Sequence, residues 1–347
     1  MQSADLLDII RSILAQPTAP FHEDGVRAEI LIQLAQCPRV SAAQDAFGNV
    51  VAQYRRGGGE ARYAFAAHMD HPGYVFDPAA PEAAESPGGG GNEPSEKSAA
   101  MPGAPFSCAF LGGVPREYRE KNPPTRDFGA FAMWDLPACE LREGRIYSRA
   151  CDDLIGCSAI VALFRELEEK EVECSVYGLF TRAEEVGFVG AIRLAQSGIV
   201  PRTVTVISLE TSSEKGGPAR MGEGVVVRVG DRTSVFDPTA TATLLQIAKA
   251  AEIPAQRCLM SGGTCEGTAY QLYGYRCGAL CVALGNYHNC GPETQIAPEF
   301  VSLDDVAGMV RLMVHAVISP DPPDPPDPHA TLRAKLEKGV AEYERFV

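Results

Sequence analysis

Residues 173–191 read ECSVYGLFTRAEEVGFVGA. The segment begins as a β-like run, 173–180, passes two adjacent acids, Glu184 and Glu185, and enters a helical pattern at 187–197 through a glycine-rich turn. The same alternation holds on both sides. Upstream lies an apolar helical pattern at 154–170; downstream come a strand at 203–209, a broken strand at 225–229, a helix at 239–251, a strand at 278–284 and a helix at 303–318. Strands and helices in this order predict an α/β fold with a mixed central sheet flanked by helices.

Working toward the N-terminus, Leu6, Ile9, Ile10, Ile13 and Leu14 recur at helical spacing, and a second such run covers 26–34. FGNVVAQYRR and ARYAFAAH follow as two neighbouring strands, the second ending at His68. Residues 77–105 are dense in Pro, Gly, Ala and Ser and predict a mobile loop, because so few large apolar side chains cannot offset the entropy of ordering. Short β-like pieces return at 106–147. The expected organisation is therefore a catalytic α/β domain from 1–73 and 148–318, an inserted β-rich domain at 74–147, and a tail at 319–347. That tail holds the stiff run PDPPDPPDP (320–328) and an amphipathic stretch, 331–346, suited to docking on a partner subunit.

The charge balance narrows the partners. Acids outnumber bases 45 to 31, a formal charge of -14, so the attraction that dominates nucleic-acid binding is missing. No apolar run approaches the length that crosses a bilayer, so no membrane partner is expected. Eleven scattered cysteines without CxxC spacing fit neither a zinc knuckle nor a disulfide framework, and a reducing cytoplasm is the expected location.

Five clusters of metal-type side chains fall at predicted strand ends or in the loops after them, where open α/β sheets place their sites. His68 ends a strand in AHMDHPG, with Asp70 spaced to accept the proton of its other ring nitrogen; alone, it reads more readily as a satisfied strand-end histidine. In RACDDLIG, helix capping explains one of the two acids, while a carboxylate with two oxygens can also bridge two cations, and Asp152 is the candidate. Glu184 and Glu185 leave their strand in different directions, so one can bind metal while the other moves protons; a charge pair at a helix start is the alternative. Glu210 in SLETS reads as a rim carboxylate. His288 in GNYHNCGPE follows a strand across a short turn.

Together these residues resemble the dinuclear metallopeptidases of the glutamyl aminopeptidase and tetrahedral aminopeptidase family, sometimes labelled cellulase-like, within the wider zinc aminopeptidase superfamily. The resemblance spans most of the chain: PTAPFHEDGVR, DAFGNVVA, AHMD, DDLIG, EEVGFVGA, SGGTCEGT and HNCGPE occur in the family's order. It implies His68 and Glu210 on one ion, Glu185 and His288 on the other, Asp152 bridging both, Glu184 as general base and Asp70 orienting His68. It also implies that Asp153 continues a turn aiming the bridging carboxylate. The two divalent ions would be zinc by default, with cobalt or manganese also suited to the ligand types. Three departures stand out: Glu210 replaces the usual aspartate, Cys265–Glu266 replace Thr-Asp, and His71 stands where an acid or small residue is usual, available to perturb the rim or bind a further group.

The activity so implied is removal of N-terminal residues from short peptides by a water that two metals activate. The family's small inserted domain shapes access and builds oligomer contacts, so a homo-oligomer is expected without commitment to twelve subunits. Rival readings are a carboxypeptidase or N-acyl deacylase on the same scaffold, a two-carboxylate glycosidase, and a metal-binding protein that has lost turnover.

Overall fold

The computed structural model describes residues 3–76, 108–215, 217–319 and 329–343. The expected loop at 77–105 and the proline run at 320–328 lie outside the described residues, as does the end of the expected terminal helix.

Two helices, α1 (Ser3–Leu14) and α2 (Asp24–Leu34), precede strands β1 (Val40–Gln44), β2 (Val50–Arg55), β3 (Tyr63–His68) and β4 (Gly73–Val75). Then come β5 (Ala109–Leu111), α3 (Arg116–Lys121), β6 (Arg126–Asp127), β7 (Phe131–Met133), β8 (Glu140–Arg142) and β9 (Arg145–Ser148). The α/β succession follows as α4 (Leu154–Glu169), β10 (Ser175–Thr181), α5 (Val189–Ser197), β11 (Thr205–Ser213), β12 (Val225–Gly230), α6 (Pro238–Ala250) and β13 (Ala255–Leu259). It closes with α7 (Glu266–Leu272), β14 (Cys277–Gly285), β15 (Glu299–Ser302), α8 (Leu303–Ile318) and α9 (Ala330–Tyr343).

Among the described residues, eleven strands form one mixed sheet and four form a second. At the centre of the large sheet β10, β3, β11 and β14 lie side by side and parallel, with β2 and β12 antiparallel to their outer members. These central strands are apolar because both faces are covered: every residue of β14 is buried, and so are the seven from Thr205 to Thr211. The core cluster packs α1, α2, α4, α6 and α8 against them. The small sheet, in the order β5-β4-β7-β6, has its own apolar clusters around Phe131, Tyr74 and Trp134. Strands β8 and β9, from the segment read in the sequence as inserted, pair onto β15 at the edge of the large sheet.

The structure departs from the sequence reading in several places. The strand ending at 209 in that reading runs on to Ser213, because Glu210 to Ser213 pair with Cys281 to Leu284. The broken strand at 225–229 is continuous as β12. Three strands, β1, β13 and β15, and two helices, α3 and α7, were not in that reading; α3 stands in the segment read as short β pieces and buries none of its residues, and β1 is a mostly exposed edge strand with only small and polar residues beyond Val40.

The close seating of α4 requires a glycine. A Cβ at Gly178, in the middle of β10, would lie 2.5 Å from Ile160 Cγ2 and 2.9 Å from the Phe164 ring. Gly178→Ala is therefore expected to destabilise the protein by about 1–3 kcal/mol, the usual cost of overpacking. Urea unfolding at equilibrium measures it.

Candidate metal centre

The four parallel strands at the middle of the sheet deliver side chains to one rim. His68 is the last residue of β3, and Thr181, which pairs with it, is the last of β10. Glu184 and Glu185 follow in the loop after β10. Ser208 of β11 pairs with Ala66, so Glu210 and His68, each two residues on, reach the same rim. His288 follows β14 across the Asn286–Tyr287 turn, and Asp152 sits just before α4. All of these side chains are buried.

Three overlapping groups bring ligand-type atoms within 4.8 Å of one another: His68 with Asp152 and Glu210, Asp152 with Glu185 and His288, and His68 with Glu184 and Glu185. Asp152 stands between the first two. Its Oδ1 is 3.6 Å from His68 Nε2 and its Oδ2 is 3.5 Å from His288 Nε2, which in turn is 3.0 Å from Glu185 Oε1. Ligand bonds of about 2.0–2.1 Å at tetrahedral angles put donor atoms about 3.3 Å apart, so these separations suit shared cations. Asp152 Oδ1 and His288 Nε2 are buried without a hydrogen-bond partner, as expected of atoms reserved for a metal. Imidazole and carboxylate donors without thiolate match the borderline divalent ions. The residues present thus fit a metal pair.

The tautomers agree with that assignment. His68 Nδ1 donates to the Asp70 carbonyl at 3.0 Å, and His288 Nδ1 donates to the Gly113 carbonyl at 3.1 Å. In both rings the Nε2 lone pair is left facing the site. Here one expectation is corrected: the Asp70 carboxylate, 3.7 Å from His68 Nδ1, does not orient the ring. The backbone of Asp70 does so. Its carboxylate accepts the amides of Glu184 at 2.9 Å and Glu185 at 3.1 Å, fixing the loop that carries both glutamates.

That loop is held from beneath as well. Glu23 accepts from Arg182 Nε at 2.7 Å and from the amide of Ala183 at 3.1 Å, and Asn49 Oδ1 accepts the amide of Arg182 at 3.0 Å. The early PTAPFHED and DAFGNV segments therefore act as supports for the glutamate loop. Asp153 caps α4 by accepting the amide of Gly156 at 3.1 Å, across a cis peptide bond from Asp152.

One of the departures noted in the sequence resolves differently from expectation. His71 is not available to a further group, since its Nδ1 donates to the Asp152 carbonyl at 2.7 Å and its Nε2 lies 3.1 Å from Asn289 Oδ1. Glu266 is fully buried near the end of β10 and accepts from the Thr181 hydroxyl at 2.7 Å. Sequence reasoning missed Glu299 altogether. Its carboxylate accepts three backbone amides around Asp152 and His288, and in TQIAPEFVS nothing in spacing or flanking pattern sets that acid apart from a surface one.

Burial dominates the electrostatics. It pushes Asp70 up to about 7, Glu210 up to about 8 and Glu266 up to about 7, and it drives Glu184 well above the carboxylate range, helped by the charges of Glu210, Glu185 and Asp70. Burial also opposes charge on His68 and His288. The neighbouring carboxylates override it, Glu184, Asp152 and Asp70 for His68 and Glu185 with Asp152 for His288, so both imidazoles are raised well above their ordinary value. Asp152 feels burial too, but the two imidazoles facing it outweigh that effect and hold the carboxyl low.

Comparisons with known proteins agree with the geometry. The profile of the M42 glutamyl aminopeptidase family matches residues 125–312. A putative aminopeptidase of Acetivibrio thermocellus is 24% identical over 346 residues, covering 91% of this chain and 100% of its own. Among solved structures, the TET1 peptidase of Pyrococcus horikoshii superposes with a TM-score of 0.70 at 20% identity, covering 91% of this chain and 100% of that one. An aminopeptidase from the archaeon Desulfurococcus kamchatkensis does so with a TM-score of 0.69 at 21% identity, covering 92% and 96%. These two share the fold.

The metal-free protein has a defined pH response. Between the ordinary carboxyl values of 3.8–4.5 and the raised values near 7 and 8, folded Asp70, Glu210 and Glu266 keep protons that the unfolded chain has released. That stability is complete below the lower values and is lost as pH rises through the upper ones; the raised histidines act in the same sense, while His71, lowered by burial, and Asp152, held low, oppose it. The Tm of metal-free protein should therefore fall from pH 5 to pH 8. Added zinc or cobalt should raise it far more at pH 8 than at pH 5, as scanning calorimetry would show.

Proposed function

From the premise that this chain belongs to the M42 glutamyl aminopeptidase family and is an aminopeptidase, a hydrolase of peptide bonds, we propose that it removes N-terminal residues from short peptides at a two-metal centre. His68 and Glu210 would hold one divalent cation, Glu185 and His288 the other, and Asp152 both. The observation that carries this reading is the position of Asp152, one oxygen turned to His68 and the other to His288. Zinc is the first choice and cobalt or manganese the alternatives, on donor type.

When bound, the cation pair supplies Lewis acidity that polarises the scissile carbonyl and acidifies a water. The chain's residues do the rest. Glu184, whose carboxyl burial and the neighbouring carboxylates push well above the ordinary range, takes a proton from the attacking water and returns it to the leaving amine. Asp70 keeps Glu184 in place by holding its backbone amide. The acid excess of the pocket favours the cationic α-amino end of a peptide over a carboxylate end or an acylated one. That supports aminopeptidase action over the carboxypeptidase and deacylase readings on this scaffold.

We also infer a homo-oligomer in the cytoplasm. The Pyrococcus horikoshii TET1 peptidase assembles into a tetrahedron or a large octahedral shell, which supports the first point. All eleven cysteines are free thiols, which supports a reducing compartment. Among the described residues no helix is long and apolar enough to cross a membrane.

Glu184→Gln should keep metal content unchanged and lower kcat on an aminoacyl substrate by about a hundred to ten-thousand-fold. Metal analysis beside steady-state kinetics decides the matter, and near-normal turnover would remove Glu184 from the mechanism. Peptides blocked at the amino end should not be cut.

A further inference from the structure

Glu299 is the first residue of β15 and is completely buried. Its Oε2 accepts the amides of Cys151 at 2.7 Å and Asp152 at 3.0 Å, while its Oε1 accepts the amide of His288 at 2.8 Å. The three amides come from two loops that share no backbone pairing with each other, one entering α4 and one leaving β14. Each loop carries a side chain of the same candidate group, with Asp152 Oδ2 and His288 Nε2 3.5 Å apart. One carboxylate thus spans the two loops behind the point where their side chains meet.

Packing alone does not account for an acid here. The position lies among residues already rich in buried negative charge, where an apolar side chain of equal volume would be cheaper. What an apolar side chain lacks is acceptors on both arms. A glutamine has one carbonyl oxygen and an amide that would face a backbone N–H donor to donor.

We propose that Glu299 is a positioning residue: by taking amides from both loops it sets the separation of Asp152 and His288, and through it the affinity of the cation held by Asp152, Glu185 and His288. The proposal rests on the two-metal reading above. The His68–Asp152–Glu210 group depends less on this clamp, since two of its members come from β3 and β11, which are paired directly.

The test is a titration of metal-free wild type, Glu299→Gln and Glu299→Asp with zinc and with cobalt, following heat and the visible cobalt spectrum, alongside circular dichroism. Wild type should take up two equivalents. Both variants should bind the first as wild type does and the second about ten- to a hundredfold more weakly, the usual effect of losing a group that orients a ligand. Excess cobalt should restore their kcat with KM little changed, a rescue that a merely structural lesion would not show. Two folded variants that bind both equivalents with wild-type affinity would overturn the proposal. So would loss of the metal-free fold in both, which would make Glu299 a folding residue. Fewer than two equivalents in wild type would instead sink the two-metal reading, and this inference with it.

Discussion

Burying a carboxylate without a compensating charge or hydrogen bonds is among the most expensive things a fold can do, and this one does so repeatedly around a single rim. Asp70, Asp152, Asp153, Glu184, Glu185, Glu210, Glu266 and Glu299 are all buried there; the cationic groups near them are two raised histidines and Arg228. No rearrangement of hydrogen bonds alone can balance that excess. Divalent cations can, and the rest of the site's architecture follows from holding such charges apart and aimed until the cations arrive.

The acids divide by what their oxygens meet. Asp70 and Glu299 spend both of theirs on backbone amides, at the glutamate loop and at the loops around Asp152 and His288, and Asp153 spends one at the start of α4. Glu266 uses one oxygen on the Thr181 hydroxyl. Asp152, Glu185 and Glu210 face the histidines. The first set fixes the backbone from which the second projects, so the precision of the centre depends on carboxylates that never touch a metal. Burial holds all three of these outer carboxyls above their ordinary range, and the backbone N–H donors on Asp70 and Glu299 offset only part of that rise.

The central strands and the long helices were legible in the sequence because both faces of β11 and β14 are covered, leaving apolar runs, and because α4 and α8 present strong helical periods. His68, Asp152, Glu185, Glu210 and His288 were legible as candidates only jointly, through the family resemblance, since Glu210 by itself reads as a rim carboxylate and Asp152 as a helix cap; the structure brings their side chains to one rim. What stayed hidden has a physical reason in each case. Strand β1 is exposed along nearly its whole length and so carries no burial pattern. The orienting of His68 by the carbonyl of Asp70 involves a backbone atom, which no side-chain spacing announces. Glu299 gains its role only when β15 is laid beside the end of β14, a pairing of two residues on each strand.

The small sheet is tied to the centre through a backbone group as well. His288 donates its Nδ1 proton to the carbonyl of Gly113, which follows β5, and a Cβ at Gly113 would come within 3.3 Å of the imidazole Cε1. A side chain there would press on the ring, which would have to give by a few tenths of an ångström. The tautomer of a candidate ligand is set by the turn that follows a strand of the second sheet, while its main-chain amide is held by Glu299 of the first. The ring's aim therefore depends on how the two sheets are seated on each other. Tyr287, stacked on the ring with centroids 3.7 Å apart, limits the rotation left to it.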